Sequence, residues 1–512
     1  MAPRGRLVVG VDCSTTACKA ILWDARGRAV AEGRAPLALS NPAPDAYEQD
    51  AEAWWKATAL ALRRAMAAAG PRAPSRLDAL CITHQRETVV VTDEAGRPLA
   101  PALVWMDARC RAQVRRAREV LGEGELHRLS GKVPCTTPSV YKLMGLFERD
   151  RSIDAAKARV CEVHAWLAWR MTGRFATSLA SADPTGLVDM QRHAWSPAIA
   201  KLAGLDPRLL PELVPPGALL GPLAPRAARA LGLPAGLPVV AGAGDGQAAA
   251  LGAGVTEADR AYLNLGTALV CGVPSPTYQI GRAFRTLYTA QPGAYLLETD
   301  LKGGTFSLGW FAGNLLGQKG NARTLARLRE LEGEARTLSP TSGGLLFVPY
   351  LHGVMNPHWD DDASALWFGL RGDHDAAALY RSVLEGLAFE QRLALEGVEA
   401  ETGRRVDELR IMGGGAKSEL FCQIVSDVMQ KPLRLTGSAE ATCLGAGMLA
   451  AVASGWFGDA HEAARAMSST GRGFEPGPAS GVYDGWFRRV YAGLYPAMQH
   501  AAAEAAALRG AG

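Results

Sequence analysis

The sequence predicts an α/β protein of two domains with a ligand cleft between them. Its 512 residues are too many for one hydrophobic core and fit two domains of about 250 residues each. Strand-like apolar runs alternate with stretches of helical periodicity along most of the chain. A short pattern of apolar run, small polar turn and apolar run occurs near the N-terminus and again just beyond the midpoint.

The first half begins with three strand-like runs, at residues 7–12, 19–24 and 29–39. A helix is predicted from Asp50, a good N-cap, to Gly70, where Gly-Pro ends it. The elements predicted next are strands at 77–83, 88–92 and 102–105, an arginine- and alanine-rich helix at 109–121, and a helix at 154–172 within a mixed stretch. Three antiparallel strands followed by alternating helices and strands are typical of a layered α/β unit.

The second half repeats the opening pattern. Residues 261–273 (AYLNLGTALVCGV) are similar to residues 7–22 (LVVGVDCSTTACKAIL), which indicates a weak internal duplication with one copy per domain. The later predicted elements are strands at 295–298 and 345–348, a long helix at 375–401, a strand, glycine turn and helix at 410–433, a small-residue helix at 439–455 that can pack closely against its neighbours, and a helical tail from Pro496.

Composition excludes several classes of function. A net charge of +4, with arginines scattered among acidic residues, gives no basic patch for nucleic acid. No apolar run is long enough to span a bilayer, and the N-terminus lacks the pattern of a signal peptide. The nine cysteines include no Cys-x-x-Cys pair and mostly lie in apolar runs, which predicts reduced, packed thiols in a cytoplasmic protein. Small-molecule chemistry is therefore the default expectation.

The stretch from Val239 to Val255 contains a single charge, Asp245, among apolar and tiny residues. Glycines on both sides let the backbone approach a ligand closely, and the alanines that follow can begin a packed helix. Asp245 is therefore a candidate general base. By its local sequence alone, a turn or helix-cap residue is the favoured interpretation, and the case for chemistry depends on the rest of the chain.

Two turns are candidates for binding phosphate. Asp12 to Thr16 lies where one strand turns into its hairpin partner, so that backbone N–H groups and hydroxyls can surround an anion, and Lys19 adds a positive charge. Gly266 and Thr267 repeat the arrangement in the second half. An ordinary hairpin with polar turn residues has the same appearance.

The segment Gly413 to Ser418 resembles a P-loop but fails its pattern, because Ala416 stands before Lys417 where a glycine is required. A glycine-rich turn between a strand and a helix still suits a nucleotide. No G-x-G-x-x-G follows the first strand, which disfavours a nicotinamide enzyme.

Arg86 and Glu87 lie side by side between two predicted strands. The vicinal hydroxyls of a polyol need both donors and acceptors, and this pair supplies both. Trp105 and Asp107, at the next strand end, can extend the same pocket. The alternatives are that Arg86 and Glu87 lie in an exposed charged hairpin, that Trp105 is a core residue and that Asp107 caps a helix.

Taken together, these motifs resemble those of the FGGY carbohydrate kinase family, which includes xylulokinases and glycerol kinases. The resemblance runs from Val8 to about Phe457, over the motifs GVDCSTTACKAILWD, THQRETVVV, VWMDAR, GAGDGQAAALGAGV, LNLGTALV, VPYLHGVMNPHWDDDASALWFGL, YRSVLEGLAFEQ and MGGGAKSELFCQIVSD. It implies two actin-like, ribonuclease H-like domains, with ATP and sugar in the cleft. We expect residues 1–252 to bind the sugar and carry the first phosphate turn, and residues 253–512 to bind the nucleotide.

The resemblance implies that Asp245 is the catalytic base and that Asp12 is a carboxylate associated with Mg²⁺. The predicted substrate-binding residues are Arg86, Glu87, Trp105, Asp107 and Asp245. The predicted ATP-binding residues are Thr15, Thr16, Lys19, Gly266, Thr267, Gly304, Gly414, Gly415, Lys417 and Ser418. We expect a small-molecule sugar or polyol as partner, no nucleic acid and no membrane; a homodimer is left open.

The expected reaction is transfer of the γ-phosphate of ATP to a terminal hydroxyl, with Asp245 taking the hydroxyl proton and domain closure excluding water. The sequence departs from the family in Ser14, where glycine is usual, and in Gly145, where tryptophan is usual.

The substrate prediction rests on mixed signals. Gln85-Arg86-Glu87-Thr88 is similar to the glycerol kinase pattern, whereas MGGGAKSELF is closer to xylulokinases. Thr137 and Val270 stand where glycerol kinases place aromatic residues. We therefore predict a ketopentose such as xylulose, or a related polyol, with glycerol second.

Hypotheses from other classes are an actin-like ATPase module without a sugar substrate, and a sugar-binding regulatory protein that has lost catalysis. Asp245 and the Arg86-Glu87 pair argue against the ATPase module, and the intact Asp12 and Asp245 argue against the regulatory protein.

Overall fold

The computed structural model describes residues 5–318 and 320–510. The elements of its first half are β1 (Leu7–Cys13), β2 (Ala17–Trp23), β3 (Ala29–Pro36), β4 (Glu48–Gln49), α1 (Ala51–Ala69), β5 (Leu77–His84), β6 (Val89–Thr92), β7 (Ala102–Leu103), α2 (Arg111–Leu121), α3 (Glu123–Ser130), α4 (Ser139–Arg149), β8 (Arg159–Glu162), α5 (Val163–Thr172), β9 (Ala176–Ser178), α6 (Leu179–Ala182), β10 (Val188–Asp189), β11 (Ala194–Trp195), α7 (Pro197–Leu202), β12 (Glu212–Val214), β13 (Leu219–Pro222), α8 (Pro225–Leu231), β14 (Pro238–Val240) and α9 (Asp245–Gly252).

The elements of the second half are β15 (Arg260–Leu265), β16 (Leu269–Ser275), β17 (Arg285–Tyr288), β18 (Tyr295–Leu301), α10 (Phe306–Trp310), α11 (Asn321–Ala335), β19 (Leu346–Val348), β20 (Leu366–Phe368), α12 (Ala376–Thr402), β21 (Glu408–Met412), α13 (Glu419–Met429), β22 (Leu433–Thr436), α14 (Ala441–Ala453), α15 (Ala460–Met467), β23 (Thr470–Phe474), α16 (Ser480–Trp486) and α17 (Ala492–Gly510). Within the described residues, no helix combines the length and the apolar character needed to cross a bilayer.

Each half contains one large mixed sheet, and the two sheets share a topology. The first has six strands in the order β13-β14-β5-β1-β2-β3, and the second has seven in the order β17-β18-β16-β15-β21-β22-β23. In both, the first strand pairs antiparallel with the second and parallel with the strand that follows the longest helix of that half. The predicted internal duplication is therefore confirmed at the level of strand order. Strand β17 extends the second sheet beyond the strand that corresponds to β3.

The two halves are joined by α14, a second-half helix that packs against α9 and against β1 and β5 of the first sheet. The contact requires glycine: a Cβ on Gly445 would lie 2.0 Å from the carbonyl oxygen of Ala248, and one on Gly10 would lie 2.1 Å from that of Cys443. Val8, Trp23 and Leu444 belong to the same buried cluster, which both halves therefore supply. The predicted close packing of the small-residue helix is confirmed.

Local details differ from the sequence prediction at several places. The predicted helix at 154–172 begins only at Val163, because residues 159–162 form β8 against β6 and the side chain of Glu162 caps the helix by accepting the N–H of Ala165. The predicted strand at 102–105 is shortened to Ala102–Leu103. Helices α3, α4, α7 and α8 lie in the stretch that the sequence left mixed, and the tail helix begins before Pro496.

All nine cysteines are free and buried, as the sequence predicts. They lie in both halves: Cys13 and Cys81 on the first sheet, Cys271 on the second, and Cys443 in the helix that joins the halves. Burial raises the pKa of the Cys81 and Cys271 thiols far above its usual range.

Candidate functional site

Asp245 is the first residue of α9, directly after the glycine-rich segment that leaves β14. One carboxylate oxygen, Oδ1, accepts hydrogen bonds from Nε of Arg86 and from the N–H of Gly246, each at 2.8 Å. The side chain is 40% exposed. Gly244, and not Asp245, is the N-cap residue, and the helix has no side-chain cap. A carboxylate that is fixed on one side and open on the other is suited to receive a proton.

Arg86 connects Asp245 to the second half of the chain. Its Nη1 donates to both carboxylate oxygens of Glu298 on β18, at 2.8 and 2.9 Å, and the hydroxyl of Tyr262 donates to Glu298 at 2.7 Å. Burial alone would raise the pKa of Glu298, but the charges of Arg86 and Arg285 outweigh burial and hold it at about 2. Glu298 is therefore a fully buried anion compensated by cations from both halves.

Arg285 continues the connection toward Glu87. From β17 it donates to Oε1 of Glu298 at 2.6 and 2.9 Å and to Oε1 of Glu87 at 2.8 Å. The sequence Asp245, Arg86, Glu298, Arg285, Glu87 is thus a continuous series of alternating charges, which we name the charge chain. Its two ends are a predicted base and a predicted substrate ligand.

Glycines make room for the charge chain. A Cβ on Gly246 would lie 2.8 Å from Oε2 of Glu298 and 2.9 Å from Nη2 of Arg86, and one on Gly244 would lie 2.4 Å from Cγ of Arg86. The glycines around Asp245 are therefore required by the side chains of Arg86 and Glu298.

The first predicted phosphate turn joins β1 to β2. Thr15 accepts a hydrogen bond at 3.0 Å from the indole N–H of Trp105, and Thr16 is exposed. Lys19 pairs with Glu440 of the second half at 2.5 Å. The structure thus brings a predicted substrate residue and a predicted phosphate residue into direct contact.

Asp12 is buried at the end of β1, and its Oδ1 has no hydrogen-bond partner among the described residues. Burial, with the neighbouring charge of Asp245, raises the pKa of Asp12 to about 8. Both features are those of a carboxylate that lacks a cation. No cluster of three or more His, Cys, Asp or Glu side chains that could hold a metal occurs in the described part of the chain.

The predicted nucleotide segments of the second half come together. The N–H of Thr305 donates to the carbonyl of Gly266 at 2.9 Å, and a Cβ on Gly304 would lie 2.6 Å from the carbonyl oxygen of Thr267. A Cβ on Gly415 would lie 3.0 Å from the carbonyl oxygen of Leu265. Three segments that are distant in sequence therefore meet backbone to backbone around the exposed Thr267.

Residues Gly414–Lys417 form a short 3₁₀ turn before α13. Gly414 and Lys417 are exposed, whereas Ser418 is the N-cap of α13: its Oγ accepts the N–H of Phe421 at 3.1 Å and donates to Glu332 at 2.9 Å. Both hydrogen bonds of the Ser418 hydroxyl are therefore made within the protein, one of them to cap α13.

Asp107 lies in a separate cluster. Its carboxylate accepts from the guanidinium of Arg109 and, at 3.2 Å, from the N–H of Tyr47, while Arg109 also binds Glu48 at 2.7 Å. Asp107 therefore fixes a loop, and none of its hydrogen bonds leads to Asp245.

Sequence reasoning missed Glu298, Arg285 and Tyr262. One signal was present for Glu298: a carboxylate that directly follows the apolar residues AYLL in a predicted strand is unusual, and such a residue needs a partner if it is buried. For Arg285 and Tyr262 the sequence held no comparable signal.

The paired sheets, with a polar turn after the first strand of each and the carboxylate of Asp245 close to residues of both, define a two-domain α/β fold of the actin-like ATPase class. The family model for the N-terminal domain of the FGGY family of carbohydrate kinases matches residues 7–252, and the model for its C-terminal domain matches residues 261–454. The chain therefore belongs to the FGGY family of carbohydrate kinases, which are sugar and polyol kinases that use ATP.

Relatives of two substrate classes are similarly close. The chain is 30% identical to the xylulose kinase of Escherichia coli strain K12 over 87% of this chain and 90% of that protein. It is 32% identical to the glycerol kinase of Citrifermentans bemidjiense over 88% of this chain and 90% of that protein. Among solved structures, xylulose kinase from Rhodospirillum rubrum matches with a TM-score of 0.87 at 28% identity, over 97% of this chain and 100% of that one.

Proposed function

We propose that this kinase transfers the γ-phosphate of ATP to a terminal hydroxyl of a ketopentose such as xylulose, or of a related polyol. The observation that carries the proposal is the carboxylate of Asp245, bound by Arg86 on one side and open on the other, between the two halves. Residues 1–252 would bind the acceptor, and residues 253–512 would bind most of the nucleotide.

In this mechanism Asp245 takes the proton of the acceptor hydroxyl. The hydroxyl oxygen attacks the γ-phosphorus, and the bond between the γ-phosphorus and the β–γ bridging oxygen breaks, so that ADP leaves. Arg86 fixes the carboxylate, and Glu87 with Trp105 orients the acceptor. The turns at Thr15–Thr16 and Gly266–Thr267 supply backbone N–H groups and hydroxyls to the phosphates. Since phosphoryl transfer depends on positioning and electrostatics, exclusion of water by the two halves prevents simple hydrolysis of ATP.

Asp12 would hold Mg²⁺ together with the phosphates of ATP, because its unpartnered oxygen and raised pKa fit a cation. The bound ion would neutralise charge that develops on the phosphate oxygens.

The preference for an acceptor longer than glycerol is supported by the strand pair β16–β18. Val270 lies opposite Asp300 in the register, and Oδ1 of Asp300 has no partner among the described residues. Burial raises the pKa of Asp300 to about 6. Val270, an aliphatic side chain in place of an aromatic one, leaves room for a longer carbon chain. The carboxyl of Asp300 offers a further hydrogen-bonding group for a hydroxyl of that acceptor. Glycerol is the second candidate, because Arg86-Glu87 resembles the glycerol kinase pattern.

The test is ATP turnover against xylulose, ribulose, erythritol, xylitol, arabinitol, glycerol and gluconate, with Asp245→Asn and Asp245→Ala alongside. We expect one strong acceptor, and a loss of kcat of about 10²–10⁴-fold in both variants, since general bases contribute that much. Strong turnover of glycerol alone would select the second candidate. A flat panel with acceptor-independent ATPase activity that survives Asp245→Ala would contradict the proposal and favour an ATPase module without a sugar substrate.

A further inference from the structure

We propose that Glu298 and Arg285 are positioning residues for this reaction: Glu298 fixes the base through Arg86, and Arg285 fixes the substrate ligand Glu87. The inference rests on the proposed function, because it takes Asp245 and Glu87 as the groups that act. Neither Glu298 nor Arg285 contacts Asp245 directly, so both act through another side chain.

The first support is geometric. Glu298 binds Nη1 of Arg86 with both oxygens, at 2.8 and 2.9 Å, while Nε of the same guanidinium contacts Asp245 at 2.8 Å. Two different nitrogens of the Arg86 guanidinium are thus held by two carboxylates, which sets an orientation of its plane that one contact alone does not. Rotation of Arg86 would therefore move the carboxylate of Asp245.

The second support is burial. The side chain of Glu298 is 0% exposed, and those of Arg285 and Glu87 are 5% and 6% exposed. Water cannot replace a lost partner at these buried positions. Removal of one charge would therefore leave its neighbours uncompensated, and their side chains would shift to other partners. The charge chain therefore behaves as a unit, and a change at its centre reaches both ends.

The third support is the distribution of the charge chain over the molecule. Asp245, Arg86 and Glu87 belong to the first half, whereas Glu298 and Arg285 belong to the second. The base and the substrate ligand are thus placed correctly only when both halves meet. Arg285 comes from β17, the strand that extends the second sheet beyond the duplicated pattern.

The competing interpretation is that the charge chain is only a structural contact between halves. The two roles differ in kinetics. A positioning role predicts a split: loss of the Glu298 charge lowers kcat through Arg86 and Asp245, and alteration of Arg285 raises the KM of the acceptor through Glu87. A structural role predicts that activity falls only with the folded fraction.

The experiment compares Glu298→Gln, Arg285→Lys and wild type, with active protein counted by ATP-analogue titration. For Glu298→Gln we expect kcat per folded molecule to fall about 30- to 100-fold with the KM of ATP within about twofold, since a misplacement near 1 Å costs about 10²-fold. For Arg285→Lys we expect acceptor KM, and acceptor Kd measured by calorimetry without ATP, to rise about tenfold, because lysine lacks the rigid planar fork whose separate nitrogens bind Glu298 and Glu87.

Trp456→Phe is the matched control. The indole N–H of Trp456 donates at 2.9 Å to Asp78 of the first half, so this variant also loses a hydrogen bond between halves but is unconnected to the charge chain. It should keep kcat and both KM values. Glu298→Asp, which keeps the charge, should recover part of the lost kcat.

If Glu298→Gln does not fold, Tyr262→Phe removes one hydrogen bond to the same carboxylate without removing its charge. We expect about a three- to fivefold fall in its kcat. Unchanged kcat per folded molecule in these variants, unchanged acceptor Kd in Arg285→Lys, or an equal effect of Trp456→Phe would overturn the inference. A wild type without acceptor-dependent turnover would instead overturn the proposed function, and this inference with it.

Discussion

At the scale of single residues, Glu390 is a carboxyl buried in the long helix α12 and bound by two phenols. The hydroxyls of Tyr350 and Tyr491 donate to its oxygens at 2.9 and 2.8 Å. Burial outweighs these hydrogen bonds and raises the pKa of Glu390 from 4.5 to about 7. A carboxyl whose pKa is raised by folding favours the folded state in its protonated form.

The consequence is a loss of stability as pH rises. Glu390 contributes its full stabilisation below pH 4.5 and loses it as pH rises through about 7, a change on the order of 3 kcal/mol. Glu390→Gln should therefore gain stability relative to wild type between pH 5 and pH 8. Urea unfolding of both proteins at the two pH values measures this, and an equal difference in unfolding free energy at both would refute it.

Residue-scale prediction from the sequence was uneven for a physical reason. Asp245 and Asp12 stand out because a lone charge among tiny or apolar residues is a local signal. Ser418 has the same local chemistry whether it binds phosphate or caps a helix, and the structure shows that it caps α13. The pairing of Arg86 with Glu298 spans 212 residues, and no local pattern encodes it.

At the scale of elements, the crossing of α9 and α14 is set by glycine. A Cβ on Gly445 would lie 2.0 Å from the backbone oxygen of Ala248, which cannot rotate away. Gly445→Ala should therefore force the helices apart and destabilise the protein by about 1–3 kcal/mol, even though alanine favours helix. Chemical denaturation measures the change.

Gly485→Ala is the control for this prediction. Gly485 also lies in a helix, α16, but a Cβ there would meet no atom within 4 Å. We expect this variant to be neutral or stabilised by up to about 1 kcal/mol. Equal behaviour of the two variants would show that close helix contact is not what Gly445 serves.

Elements with a strong periodic pattern were predictable, and those defined by pairing were not. Helix α1 begins after Asp50 and ends at Gly70 as predicted, because both signals are local. Strand β8 was taken for helix, since only its pairing with β6 makes residues 159–162 extended. Strand β17 is short and lies at a sheet edge, so its sequence carries little signal.

At the scale of the whole molecule, one buried cluster contains residues of both halves, including Trp23 from the first sheet and Leu444 from α14. Neither half can lose its structure without exposing apolar surface of the other. We expect calorimetry to show one unfolding transition, with a calorimetric enthalpy close to the van't Hoff value. Two resolved transitions would show that the halves unfold independently. The duplication behind this architecture was predictable, because it repeats a short motif, but the shared cluster was not.

The buried thiols can report local unfolding of the protein by their chemical reactivity. Every one of its nine cysteines is sequestered, and together they sample both sheets and the helix between the halves. A thiolate reacts with an electrophile such as a maleimide only once it is exposed, so the native chain is inert to such a dye. Each modified cysteine therefore reports local unfolding of the region around it. Mass spectrometry of labelled peptides would rank those regions by how often they open.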